Sequence, residues 1–168
     1  PQNVKADVLF QNMRKNKEAI AIVLDEYGAT AGLITMEDML EEIVALIRRY
    51  DAAPYCYFMT TNDEMIRRAM EYAPDIKCCV GWDGNKTDML SMVNRAKALG
   101  AYKIQLFKPY FNQETVDKAH ENGIICNVFW ADDPEEAKHY FEMGIDTVLT
   151  NDYLTIYNAV KEDYCKRK

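Results

Sequence analysis

Three times in the second half of this chain a helical stretch ends in glycine and runs at once into an apolar stretch of strand character. Ala-Leu-Gly100 precedes Tyr102–Phe107, Glu-Asn-Gly123 precedes Ile124–Phe129, and Glu-Met-Gly144 precedes Thr147–Thr150. A glycine that closes a helix adopts a left-handed conformation costly for other residues, so each marks a helix-to-strand junction. The junctions are spaced by 23 and then 21 residues, the length of one supersecondary unit. Between the last two, Asp132-Asp133-Pro134 stops a strand and starts a helix carrying Ala137, Tyr140 and Phe141 on one face. Short apolar strands joined by amphipathic helices specify parallel βαβ units. Tyr55–Thr60 and Ile76–Gly81 add two strands upstream, each followed by a helix. Five βα units thus run from about Pro54 onward, which is α/β with a parallel sheet.

The first fifty residues read differently. Ala6–Lys17 forms an amphipathic helix, Ala19–Asp25 a strand, Glu26-Tyr27-Gly28 a turn, Ala31–Thr35 a second strand and Met36–Tyr50 a long helix. The short link favours antiparallel pairing of the two strands. Thr35 is placed to cap the helix, with Asp38 in its first turn. The expectation for 1–168 is a single α/β domain: half of a TIM-type barrel extended by a strand pair and helix. In it, Ala31–Thr35 joins an open, mostly parallel sheet with Ala19–Asp25 as an antiparallel edge strand. Exposed edges of such a sheet invite a second chain, so monomer and homodimer are both compatible with the sequence.

Composition narrows the function classes. A net charge of −7 argues against nucleic-acid and anionic-membrane partners, which reward a basic face. No apolar run reaches transmembrane length and no signal-peptide pattern opens the chain, which points to the cytoplasm. Five cysteines without framework spacing suggest reduced thiols, with Cys78-Cys79 in the core. No phosphate-binding glycine loop occurs, so no cofactor is expected. Trp82-Asp83-Gly84-Asn85 reads as turn chemistry, and the basic end Cys165-Lys166-Arg167-Lys168 is too short to mean more than a tail.

Two resemblances sharpen this picture. IAIVLDEYGATAGLITMEDMLEEIV resembles the later part of a CBS domain of the metal-efflux-transporter type, over about residues 4–44. Gly32, Leu33, Ile34, Thr35 and Asp38 match that family's Gly-apolar-apolar-Thr-x-x-Asp pattern; the resemblance implies that the Thr and Asp contact adenine nucleotides. From residue 45 onward the chain is similar to the C-terminal half of a glycerophosphodiester phosphodiesterase, a (βα)₈ barrel. Trp130 with Asp132-Asp133, and Thr150-Asn151-Asp152, match its seventh and eighth strand ends. That family's His-Arg-Gly strand, acidic metal ligands and Glu-x-Lys strand have no counterpart in the sequence, and His120 and His139 both sit late in helices. The sequence therefore reads as a chimera, natural or designed, with no catalytic residues, no metal site and no enzymatic activity. The alternatives are a nucleotide-binding module and, by parentage, a phosphodiesterase.

One candidate site survives this filter. With Ala31–Thr35 parallel to the barrel-like strands, Thr35 and Asp38 would share the carboxyl rim of the sheet with Lys108, Trp130 and Asn151, beside Thr60 and Trp82. Such a rim could hold a weak nucleotide or phosphate, with Lys108 pairing with the anion and Trp130 stacking.

Overall fold

The computed structural model describes residues 1–84 and 89–165, the last four through their backbone alone; Asn85 and the basic run 166–168 lie outside the described residues. The chain forms two compact units, Pro1–Ala53 and Pro54–Lys168.

In the first unit, α1 (Ala6–Asn16) leads into β1 (Ile20–Leu24), β2 (Thr30–Thr35) and α2 (Met36–Arg49). Asp25 shapes the turn, its Oδ1 accepting from the Tyr27 and Ala29 amides at 2.9 Å each. β1 and β2 pair antiparallel, with Ile22 opposite Leu33. α2 opens on a capping box: Thr35 Oγ1 accepts from the Asp38 amide at 3.1 Å, and Asp38 Oδ2 accepts from the Thr35 amide at 2.8 Å. Two otherwise orphaned N–H donors are satisfied this way. The β1–β2 pair is a two-stranded sheet of its own. This corrects the expectation that Ala31–Thr35 joins the parallel sheet with Ala19–Asp25 as its edge. Each strand of the hairpin takes its ladder partner from the other.

The second unit opens with a 3-10 turn (Ala53–Tyr55) and continues β3 (Tyr57–Thr60), α3 (Asp63–Tyr72), β4 (Lys77–Val80), α4 (Leu90–Leu99), β5 (Lys103–Leu106), α5 (Gln113–Glu121), β6 (Ile125–Phe129), α6 (Pro134–Glu142), β7 (Thr147–Leu149) and α7 (Tyr153–Cys165). Its strands lie side by side in chain order, β3-β4-β5-β6-β7, all parallel. Sequential order means every crossover runs the same way, and right-handed crossovers then place every helix on one face. The burial agrees. Alternate residues Cys78, Val80, Ile104, Leu106, Cys126 and Val128 form the core with Ile66, Met92, Val93, Val116 and Ala119 of the helices. A doubly wound sheet would reverse its strand order and bury both faces; this one is a segment of a barrel wall.

Gly100, Gly123 and Gly144 have φ of 71°, 68° and 97°, as the helix-ending glycines of the sequence require. Replacing Gly100 with Ala is expected to cost about 1–2 kcal/mol, the penalty of a left-handed Cβ. Ile104→Ala, which empties a fully buried site, should cost about 2–5 kcal/mol. Urea unfolding followed by tryptophan fluorescence measures both.

Candidate functional site

The opposite face of the parallel sheet carries the chemistry. In register across three strands, Gln105 faces Asn127, which faces Thr147. Thr147 Oγ1 donates to Asn127 Oδ1 at 2.7 Å, and Asn127 Nδ2 donates to Gln105 Oε1 at 2.6 Å. Gln105 and Asn127 are buried, so this row of hydrogen bonds offsets the cost of placing amides inside. One step toward the strand starts, Lys103 is buried with its Nζ 4.6 Å from the Tyr57 ring centre. Burial pushes its ammonium pKa down, against the pull of Cys79 and Asp146. Burial likewise pushes the Cys79 thiol up to about 12, so it stays protonated and inert at neutral pH.

At the carboxyl ends of the strands the same face becomes aromatic. Trp82 follows β4, Phe107 follows β5, Phe129 ends β6 and Trp130 comes next. Trp82 stacks on Phe107 at 4.2 Å and Phe107 on Phe129 at 4.9 Å, while Trp130 stands edge-on to both phenyl rings, at 6.0 and 4.9 Å. Trp130 has φ 62°, a left-handed conformation that a bulky residue rarely adopts. Trp82, Phe129 and Trp130 line a cleft of about 310 Å³ closed by Met59, Thr60, Thr61, Gly81, Gln105 and Leu149, with Phe107 packed behind Trp82 and Phe129. Gly81 permits the closure: a Cβ there would lie 3.2 Å from the Thr60 carbonyl oxygen.

Polar groups frame the cleft. Lys108, next to Phe107, pairs with Glu136, whose other oxygen accepts from the Tyr140 hydroxyl at 3.0 Å. Asp132 is taken up by the next loop, accepting from the Asn151 amide at 2.7 Å, from Asn151 Nδ2 at 2.9 Å and from Thr150 Oγ1 at 2.8 Å. These hydrogen bonds, the Asn151 amide first, hold its carboxyl pKa down. Asp133 caps α6. On the other side, Arg95 of α4 donates to Asp63 (2.6 Å), Asp83 (2.9 Å) and the Thr61 carbonyl (3.0 Å), tying the loops after β3 and β4 together. The described carboxylates of this rim are spent on lysine, arginine, caps and loops. Among the described residues they do not converge as a metal ion would need.

The sequence-predicted residues therefore divide. Trp130 lines the cleft, Lys108 follows Phe107 and pairs with Glu136 of α6, and Asn151 holds the neighbouring loop. Thr35 and Asp38 belong to the capping box of the first unit; their placement on this rim depended on β2 joining the sheet, and β2 pairs with β1 instead. Phe107, Phe129, Arg95 and the Gln105–Asn127–Thr147 row were not singled out from the sequence. The row had a signal: Lys103 and Gln105 alternate along KIQL, and Asn127 interrupts the otherwise apolar ICNVF.

Residues 6–155 match the model of the glycerophosphoryl diester phosphodiesterase family. The chain belongs to that family. The match overturns the expectation of a chain that is not an enzyme, because this is a family of phosphodiesterases. The expectation had rested on motifs missing from a segment assigned to other parentage, yet the family match reaches across that segment to residue 6. Among solved structures, a protein from Galdieria sulphuraria assigned to the glycerophosphodiester phosphodiesterases superposes with a TM-score of 0.67 at 21% identity, covering 76% of this chain and 52% of that one. A phosphodiesterase from Oleispira antarctica, solved with the product sn-glycerol 3-phosphate, has a TM-score of 0.56 at 17% identity, covering 62% and 41%. These likenesses establish the fold. A UPF0053 protein of Haemophilus influenzae is 50% identical over 128 residues, 76% of this chain and 27% of that protein. One of Mycobacterium bovis is 44% identical over 68 residues, 40% and 16%. The chain thus spans about a quarter or less of these curated relatives. Among the described residues no helix is long and apolar enough to cross a membrane.

The Arg95 clamp gives a pH dependence. Its hydrogen bond to Asp63 holds that carboxyl pKa below the ordinary aspartate range. A carboxyl held lower in the folded than in the unfolded state contributes stability above the unfolded value, lost as pH falls through the folded one. Asp63→Asn should therefore flatten the acid limb of stability below about pH 4 and leave the slope near neutrality unchanged, as read from thermal unfolding across pH.

Proposed function

We propose that this chain supplies the substrate-facing wall of a glycerophosphodiester phosphodiesterase. The strained Trp130, held against Phe107 and Phe129 at the strand ends, carries the reading. An apolar cleft with an ammonium at its edge suits a ligand that has a carbon backbone at one end and a phosphate at the other. In this reading the rings pack the glycerol carbons, and Lys108 moves from Glu136 to a phosphate oxygen. Backbone strain at Trp130 is offset by the turn it sets up, where the Ala131 amide bonds the Leu149 carbonyl and Asp132 takes up the next loop, and by the ring contacts of its indole. The solved phosphodiesterase with sn-glycerol 3-phosphate supports this choice of ligand class.

We read residues 4–44 as a segment of UPF0053-type origin joined to the half-barrel; the separate two-stranded sheet favours that reading. The nucleotide role for Thr35 and Asp38 has less behind it, because the helix cap occupies both side chains.

Titrating the chain with sn-glycerol 3-phosphate while following tryptophan fluorescence tests the proposal. Saturable quenching is expected. Lys108→Ala should weaken binding by about tenfold or more, the worth of a charged hydrogen bond, and Trp130→Ala should remove most of the quenching. A flat titration at millimolar ligand, or a Lys108→Ala variant that binds as the parent does, would count against it. Release of sn-glycerol 3-phosphate from glycerophosphodiesters by the same preparation reads out turnover.

A further inference from the structure

We propose that His120, Cys126 and Asp146 form a transition-metal site of the zinc type at the amino-terminal end of the sheet, remote from the aromatic cleft. The three come from separate places in the sequence: the last turn of α5, the second residue of β6 and the residue just before β7. His120 Nε2 lies 3.0 Å from Asp146 Oδ2, and with Cys126 Sγ these ligand atoms all fall within 4.8 Å of one another. Imidazole nitrogen, thiolate sulfur and carboxylate oxygen are the donor types that borderline-soft divalent ions take, tetrahedrally in zinc's case.

The surroundings already hold the ligands in place. Asp146 Oδ2 accepts from the Cys126 amide at 2.7 Å, and the Asp146 amide donates to the Cys126 carbonyl at 3.1 Å, which locks these two residues together across the strand junction. The His120 ring lies against Gly144, where a Cβ would stand 3.4 Å from His120 Cε1 and 3.6 Å from a Val116 methyl. Cys126 is fully buried, whereas the side chains of His120 and Asp146 are 41% and 38% exposed. An ion entering from solvent would meet the histidine and carboxylate first and the sulfur behind them, with a fourth position open to water. Burial, with the Asp146 carboxylate, pushes the Cys126 thiol up to about 12, so the metal-free site holds a protonated sulfur; binding replaces that proton with the cation and releases it to solvent. The same histidine and aspartate could serve as a surface ion pair alone. In that case the sulfur would take no part, and the sulfur is what the experiment reads.

The metal-free chain is titrated with Co²⁺ and its near-ultraviolet absorbance followed. A thiolate-to-cobalt charge-transfer band saturating at one equivalent is expected, displaced by Zn²⁺, and Zn²⁺ should raise the melting temperature by more than about 2 °C. Cys126→Ser should abolish the band, and His120→Gln should weaken cobalt binding by about tenfold or more. No band in the parent chain overturns the proposal, as does a band that survives Cys126→Ser, which would assign the sulfur to another cysteine. Should Cys126→Ser fail to fold, the half-exposed His120→Gln decides, and cobalt affinity unchanged there overturns it too. Neither result bears on glycerol phosphate binding at the other end of the sheet.

Discussion

Parallel strands laid down in chain order, with every crossover on the same side, can bury only one of their two faces under their own helices. Nearly everything about the second unit follows from that one-sided burial. The helix-covered face is apolar without interruption, from Cys78 and Val80 through Ile104 and Leu106 to Cys126 and Val128. Helices and sheet exclude water there together, and this is where the unit gains its stability. The other face receives none of the unit's own described helices. It is built from a hydrogen-bonded amide row, a buried lysine under tyrosine and, at the strand ends, a stack of rings.

That division of labour explains how the cleft is held. Side chains alternate across each strand, so every apolar residue committed to the helix side places its neighbour on the free face. Leu106 in the core sets Gln105 on the other side; Val128 does the same for Asn127 and Phe129. The rigid ladder then spaces the rings at strand-to-strand distance, close enough for Trp82, Phe107 and Phe129 to stack. Arg95 and Asp132 join the loops above, one on each flank, through charge-assisted hydrogen bonds. Function of the kind proposed needs that stiffness, because a cleft lined by rings on loose loops would collapse on itself.

Membership of the phosphodiesterase family and the UPF0053-type relatives describe the same chain from two directions. The first unit is a hairpin and two helices whose own turn and capping box complete it locally. The second is a run of barrel wall whose edge strands β3 and β7 each pair on one side among the described residues.

Much of this was legible in the sequence. The glycines at 100, 123 and 144 announce the repeat because helix ends need a left-handed residue. The alternation of short apolar runs with amphipathic helices announces parallel βα units, and Thr35 with Asp38 announces a capped helix. Those are local rules, decided within a few residues, and they held. The aromatic stack, the amide row and the His120–Cys126–Asp146 cluster span 48, 42 and 26 positions, brought together by strand register. The fate of the first hairpin was likewise beyond local reading, since its pattern is satisfied equally by a partner within the hairpin or by the edge of a larger sheet. Sequence by itself determined which residues form strands and helices and which face of each is apolar. Only the tertiary structure decided which strands are neighbours, and with that which polar and aromatic side chains meet, because register and adjacency are set by packing among distant segments and not by any one of them.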